Sequence, residues 1–204
     1  MKICSNDYEH EFWNQEKLIL GIDEAGRGPL AGPLTVAGVI FPLGYENPLI
    51  YDSKALSEKK REELYQVIIN DALYYEIQLV KEEIIDKLNI YMADKQAMIQ
   101  IAKDLPAPVV LTDAMPFEME DKRIISIIKG DQKSISIAAG SILAKVTRDR
   151  IMKEYDLLYP EYGFAQNKGY PTAQHLKAIE QYGITPIHRR SYGPVARHQE
   201  KLDI

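Results

Sequence analysis

Two adjacent acids, Asp23 and Glu24, stand where the apolar run Leu18 to Ile22 gives way to a loop. In "GIDEAGRGPLAGP" (21–33) that loop packs three glycines, two prolines and one arginine into nine positions. A third acid, Asp113, closes a second apolar run, "VVLTDA". Carboxylates held a few ångströms apart repel, and near neutral pH one of them should take up a proton. A bound divalent cation removes that cost. All-oxygen donors suit Mg²⁺ or Mn²⁺, which keep waters and bind phosphate oxygens. Two such ions about 4 Å apart clamp the attacking and leaving oxygens in phosphodiester hydrolysis. The three acids point to metal-dependent phosphate chemistry if the fold brings them to one edge. Otherwise each merely starts a turn, as Asp often does.

The elements that must do this are legible in outline. Leu18–Ile22, Leu34–Phe41 and Tyr74–Val80 read as strands, with 109–114 and 124–129 as a fourth and fifth. Ser57 reads as the N-cap of a helix carrying Leu64, Val67 and Ile68 on one face. A long helix is predicted over Glu82 to Leu105, ended by Pro106 and Pro108, and another from Ser134 to the residue before Pro160. A further helix runs from Thr172 to Tyr182 and is closed by Gly183. This is a mixed α/β sheet with a helical C-terminal extension. The first and fourth strands, joined through helices, can lie parallel with Asp23 and Asp113 at one sheet edge, where such sheets place their sites.

Composition narrows the function classes. With a single cysteine, Cys4, the chain has no intramolecular disulfide and no cysteine-based zinc site, which favours a cytoplasmic setting. The acid-rich N-terminus is no signal peptide, and no run approaches a membrane span, so no membrane partner is expected. Net charge is −5, yet from Ala165 onward six Lys or Arg face three acids, a locally basic tail. Gly26, Gly28 and Ala31 also fit a dinucleotide-binding fingerprint, with Glu46 downstream. The context is wrong for it, because Pro29 and Pro33 bracket a segment leading into a strand, and the paired acids would repel a pyrophosphate.

"GIDEAGRGPLAGP" closely resembles the signature of the type 2 ribonucleases H, specifically ribonuclease HII. "DSKALSEKKRE", "NIYMADKQAM", "LTDA", "GDQKSISIAAGSILAKVTRDR", "YGFAQNKGYPTAQH" and "HRRSYGPV" resemble it in the same order. The ribonuclease HIII pattern differs at Gly26-Arg27-Gly28, where it carries a Gly-Lys-Gly-like loop. The resemblance implies a ribonuclease-H-like sheet flanked by helices in one domain, 17–204, with a catalytic core to about 160 and a helical substrate-binding lobe over 161–204. It implies cleavage of RNA in RNA–DNA hybrids and incision of duplex DNA at embedded ribonucleotides, leaving 3′-hydroxyl and 5′-phosphate. The related alternatives are a nuclease of the HIII type and a noncatalytic hybrid-binding module.

Carried over motif by motif, the resemblance implies that Asp23, Glu24, Asp113 and Asp149 are catalytic and hold two Mg²⁺ or Mn²⁺ ions. Spacing alone would make Asp149 an acid on a solvated helix face and would prefer Asp131, in "KGDQK" beside a strand end. The resemblance also assigns Gly26, Arg27, Gly28 and Tyr170 to the sugar and its 2′-OH, the group that separates RNA from DNA at one nucleotide. It gives Lys54 to the scissile phosphate, and His188, Arg189, Arg190 and Ser191 to the phosphate backbone. The chain departs from the pattern twice, with Asn167 in place of a histidine and Gly140 in place of an alanine. A monomer is expected. The C-terminal "QEKLDI" faintly resembles a sliding-clamp peptide without its aromatic anchor, and otherwise reads as a frayed tail.

Overall fold

The structure, a computed structural model, describes residues 4–202, with side chains to 199. Its elements run α1 (Asp7–Trp13), β1 (Ile19–Ala25), β2 (Leu34–Ile40), α2 (Glu58–Asp71), β3 (Tyr74–Val80), α3 (Glu82–Leu88), α4 (Ile90–Asp104), β4 (Val109–Asp113), β5 (Arg123–Ile127), α5 (Ile135–Leu158), α6 (Phe164–Asn167), α7 (Ala173–Tyr182) and α8 (Gly193–Leu202). The five strands form one mixed sheet in the order β3-β2-β1-β4-β5, flanked by helices. β1 is antiparallel to β2 and parallel to β4, which is parallel to β5. Every residue of β2 is buried, as expected of a strand covered on both faces.

The chain divides into two compact units. The first holds residues up to Ala25, Thr35–Gln78 and Lys95–Val146; the second holds Gly26–Leu34, Leu79–Asp94 and the chain from Thr147 onward. The core of the first gathers Ile137, Ala138, Ile142 and Leu143 of α5 with Ile19, Ala37, Val39 and Leu111 of the sheet. The second is built on Leu30, Met152, Tyr162, Phe164, Ile179, Ile187 and Val195.

Three departures from the sequence reading have physical causes. β1 does not stop at Ile22 but runs to Ala25, because β2 pairs with Asp23, Glu24 and Ala25 through Ala37, Val36 and Thr35. The single helix expected over Glu82 to Leu105 is two, broken at Asn89, whose φ of 67° ends α3. Its ψ of 162° takes it outside the left-handed helical region, and its Oδ1 accepts from the Met92 amide at 3.0 Å to start α4. Residues before 17, outside the expected domain, contribute α1, which buries Phe12 and Trp13. Buried Glu9 takes the Ser134 hydroxyl at 2.5 Å and the Ser136 amide at 3.2 Å. Asn6 Oδ1 takes the Ile135 amide at 3.0 Å. Two amides of the α5 N-terminus are therefore satisfied by a segment more than a hundred residues away.

Gly140 has a packing reason. A Cβ there would lie 2.7 Å from the Ala37 carbonyl and 3.2 Å from the Asp23 amide. Opposite it, a Cβ at Gly21 would lie 2.2 Å from the Ser136 backbone. Helix α5 therefore crosses β1 backbone to backbone, beside the residue that carries Asp23. Alanine at 140 would gain ~1 kcal/mol of helix propensity but force a backbone shift costing typically 1–3 kcal/mol. We expect Gly140→Ala to lower Tm by roughly 2–4 °C and to slow cleavage; a raised Tm in thermal unfolding would show that the helix can move away freely.

Candidate active site

In the first unit the strand topology delivers the acids. The β1–β4 parallel ladder ends with Ile22 beside Thr112, so Asp23 and Asp113 follow the last paired residues of neighbouring strands. Asp23 is buried, and its Oδ1 accepts from the Glu24 amide at 2.7 Å. Asp113 Oδ1 accepts from the Gly130 amide at 2.8 Å. These bonds fix two carboxylates in orientation. Burial pushes the Asp23 carboxyl well above its ordinary range, and the charges of Glu24 and Asp113 push it further.

More acid stands close by. Asp131, buried in a short 3₁₀ turn (Gly130–Gln132), is pushed up to about 6 by burial and by Asp52 and Asp113, with Lys54 pulling the other way. Lys54 sits on a second 3₁₀ turn (Ser53–Ala55) capped by Asp52. The Ser53 hydroxyl meets that of Ser141 on α5 at 2.8 Å, tying the turn to the helix. Partial burial would lower the Lys54 ammonium, but Asp23, Asp131, Asp52 and Asp113 outweigh it and hold the proton on. Among the described residues no three acid, histidine or cysteine side chains close on a point as a finished metal cage. The donor chemistry nonetheless fits a hard divalent cation: oxygen ligands only, crowded enough that one carboxyl is driven toward protonation.

In the second unit the loop Gly26–Leu34 is held by two buried arginines. Arg148 on α5 donates to the carbonyls of Pro33, Ala31 and Lys168 at 2.9, 2.9 and 2.8 Å. Arg189 donates to those of Gly26 at 2.7 Å, Arg27 at 3.1 Å and Gly32 at 2.8 Å. Burial lowers the Arg148 guanidinium to about 10, which still leaves it charged near neutrality. Hydrogen bonds from a charged donor are the strong ones, so the loop's backbone path is set by these two side chains. Gly26 has φ of 104°, and a Cβ there would lie 2.2 Å from Arg148 Nε. Arg27 pairs with buried Asp94 at 3.6 Å. Gly28 is exposed, and a Cβ on it would touch the Tyr170 ring at 3.3 Å. Tyr170 is 44% exposed, so it and Gly28 share one open surface.

The other expected residues divide. Asp149 is buried on α5, not on a solvated helix face. His188 and Arg189 are also buried, and their polar atoms are taken up inside the protein. The direct phosphate contact expected of them is replaced by bracing: both hold loops rather than face solvent. Arg190 and Ser191 are exposed, and their amides donate to Asp86 at 2.9 Å each. Asn167 donates to the Tyr162 carbonyl at 2.7 Å and accepts from the Gly169 amide at 2.8 Å. It shapes the turn that presents Tyr170. Sequence reasoning missed Arg148; the signal available was a basic residue four positions from both Ala144 and Met152, on the buried stripe of α5.

Comparison with known proteins gives consistent relatives. The profile of the ribonuclease HII family matches residues 20–195. A ribonuclease HII from Enterococcus faecalis is 51% identical over 196 residues, 95% of this chain and 76% of that protein. The ribonuclease H2 structure from Pyrococcus horikoshii OT3 superposes with a TM-score of 0.79 at 25% identity, covering 91% of this chain and 99% of that one. A chain from the PCNA:RNase HII complex of Archaeoglobus fulgidus gives a TM-score of 0.73 at 27% identity, covering 86% and 95%.

Proposed function

We infer the roles of individual residues from family membership: this chain belongs to the ribonuclease HII family, whose members cleave RNA in RNA–DNA hybrids, and it is a ribonuclease H hydrolase dependent on divalent metal. We propose that Asp23, Glu24, Asp113 and Asp149 are the ligands, that the metal is Mg²⁺ or Mn²⁺, and that two ions act during catalysis. The observation that carries the reading is the crowding of Asp23 with Glu24 and Asp113, a cost that a cation would remove. For Asp149 the support is the match of "VTRDR" to the family motif, together with its burial. Bound divalent ions would supply the positive charge that makes a water acidic enough to attack phosphorus and that offsets charge on the departing 3′ oxygen.

The chain's own residues do the rest. The amides of Glu24 and Gly130 hold Asp23 and Asp113 so that neither swings away when a substrate phosphate arrives. Lys54, its proton retained by the surrounding acids, meets the scissile phosphate. The open surface of Gly28 and Tyr170 receives the ribose, and the 2′-OH is the feature it selects. This extends the substrate to duplex DNA carrying a single ribonucleotide. The exposed Arg190 meets the phosphate backbone. The neighbouring fold from Archaeoglobus fulgidus was solved with PCNA; a sliding-clamp contact through the C-terminus is the corresponding proposal here, and its last residues lie outside those described. Among the described residues no helix is long and apolar enough to cross a membrane, and a cytoplasmic setting is part of the same proposal.

A cleavage gel on a duplex with one embedded ribonucleotide tests the reading. Incision at the ribonucleotide with Mg²⁺ or Mn²⁺, abolished by EDTA, is the expected result; binding without incision would leave a noncatalytic module. On this substrate Gly28→Ala and Tyr170→Ala should each slow cleavage by a factor on the order of 10. Long RNA–DNA hybrids, offering many registers, should lose less, and calorimetric Mn²⁺ affinity should be unchanged. Equal losses on both substrates would mean that the pair serves folding rather than sugar sensing.

A further inference from the structure

A chain of buried hydrogen bonds ends at the backbone of Tyr170. The Thr185 amide donates to His188 Nδ1 at 2.9 Å, and the Thr185 hydroxyl lies 2.8 Å from the same nitrogen. His188 Nε2 lies 3.0 Å from His175 Nε2, and His175 Nδ1 lies 2.9 Å from the Tyr170 carbonyl. Both imidazoles are shut away from solvent, at 0% and 2% exposure for His175 and His188.

The partners fix the protons from both ends. A carbonyl only accepts, so His175 Nδ1 carries hydrogen; an amide only donates, so His188 Nδ1 carries none. In neutral rings this leaves His188 Nε2–H donating to a bare His175 Nε2. The two independent ends agree on one direction. A further proton has only two places to go, and either would set two donors against each other. Burial accordingly lowers His175, and burial followed by the neighbouring His175 lowers His188 to about 4. Tyr162 and Phe164 flank the pair with uncharged rings. His198 of α8 is the nearby titratable group, and Glu82, Glu83, Asp86 and Arg190 share the cavity that His188 borders.

From this arrangement we infer that His175 and His188 are positioning residues for ribose recognition, a one-way relay of neutral imidazoles that holds the backbone of Tyr170. The inference rests on the sugar-sensing role proposed for Tyr170. The neighbouring carbonyls are clamped too, Lys168 by Arg148 and Gly169 by the Leu30 amide at 2.8 Å, and the Thr172 amide shares the Tyr170 carbonyl. The relay is the part of the clamp that a proton breaks. Both histidines take a proton more readily unfolded than folded, so their contribution to stability is complete above about 6.5. It is lost as pH falls toward the folded value of about 4 for His188.

Long-range ¹H–¹⁵N spectra of histidine-labelled wild-type protein test the relay directly. His175 should show the Nδ1–H form and His188 the Nε2–H form at neutral pH; reversed forms, or an imidazolium at either, would overturn it. In kinetics on a single embedded ribonucleotide, His175→Phe should raise KM on the order of tenfold with kcat changed less than about twofold. In a Tyr170→Ala background the same change should add almost nothing, whereas a full additional loss would show that His175 acts elsewhere. If Tyr170→Ala alone left cleavage of this substrate intact, the sugar-sensing reading would fail, and the spectra would still decide the relay.

Discussion

Asp23→Asn and Asp113→Asn should each abolish cleavage, by at least about 10³-fold, several kcal/mol of lost metal assistance, without unfolding the chain. Asparagine keeps the size of aspartate and an oxygen to accept the amides of Glu24 and Gly130. What it removes is the charge that would bind a cation. Metal-free stability should move the other way for Asp23. Its folded carboxyl titrates above the unfolded one, so the native state is penalised as pH rises through that raised value and relieved below 3.8. In chelator near neutral pH, Asp23→Asn should therefore melt above wild type and lose that part of the pH dependence. Turnover within about tenfold of wild type, with the fold intact by circular dichroism, would sink the assignment of these acids as ligands.

The second large effect separates two buried acids. Asp149→Asn should lose most activity, about 100-fold or more, while Asp131→Asn should stay within a few-fold of wild type. The family resemblance gives the ligand role to Asp149 and none to Asp131, whose carboxyl is driven up to about 6 by burial and by Asp52 and Asp113. Its carboxyl helps to hold Lys54 charged, a task it shares with Asp23, Asp52 and Asp113. The reverse outcome, with Asp131→Asn inactive and Asp149→Asn active, would assign the fourth acid to the first unit.

How much of this was legible depended on the range of the interactions. β3 falls on the expected residues, Ser57 caps α2 as read, and Thr172 and Gly183 bound α7. Those are local signals of periodicity and capping. Asp23 and Asp113 were legible as a pair because both end apolar runs. The extension of β1 to Ala25 was not, since it depends on the partner strand. α1 was missed because its worth lies in Glu9 and Asn6 reaching the start of α5, and no local pattern announces a partner at Ser134 or Ile135. The inward turn of His188 and Arg189 was missed for the same reason: a basic cluster reads as a phosphate contact until the carbonyls it serves are known. Asp149 came from the family motif and not from spacing.

The parallel pairing of β1 with β4 has a consequence for the order of events during synthesis. Leu20 meets Val110, 90 positions later. Closing a loop of that length costs about 4 kcal/mol by chain-entropy scaling, and nothing local offsets it until β4 itself is available. At roughly 5–20 residues per second on the ribosome, Asp23 and Glu24 wait several seconds for Asp113 and longer for Asp149. The nascent chain thus carries its first two acids, paired with β2, before β4 is there to bring Asp113 beside them. The nuclease becomes competent only after α5 has been made, so that the N-terminal segment can cap it.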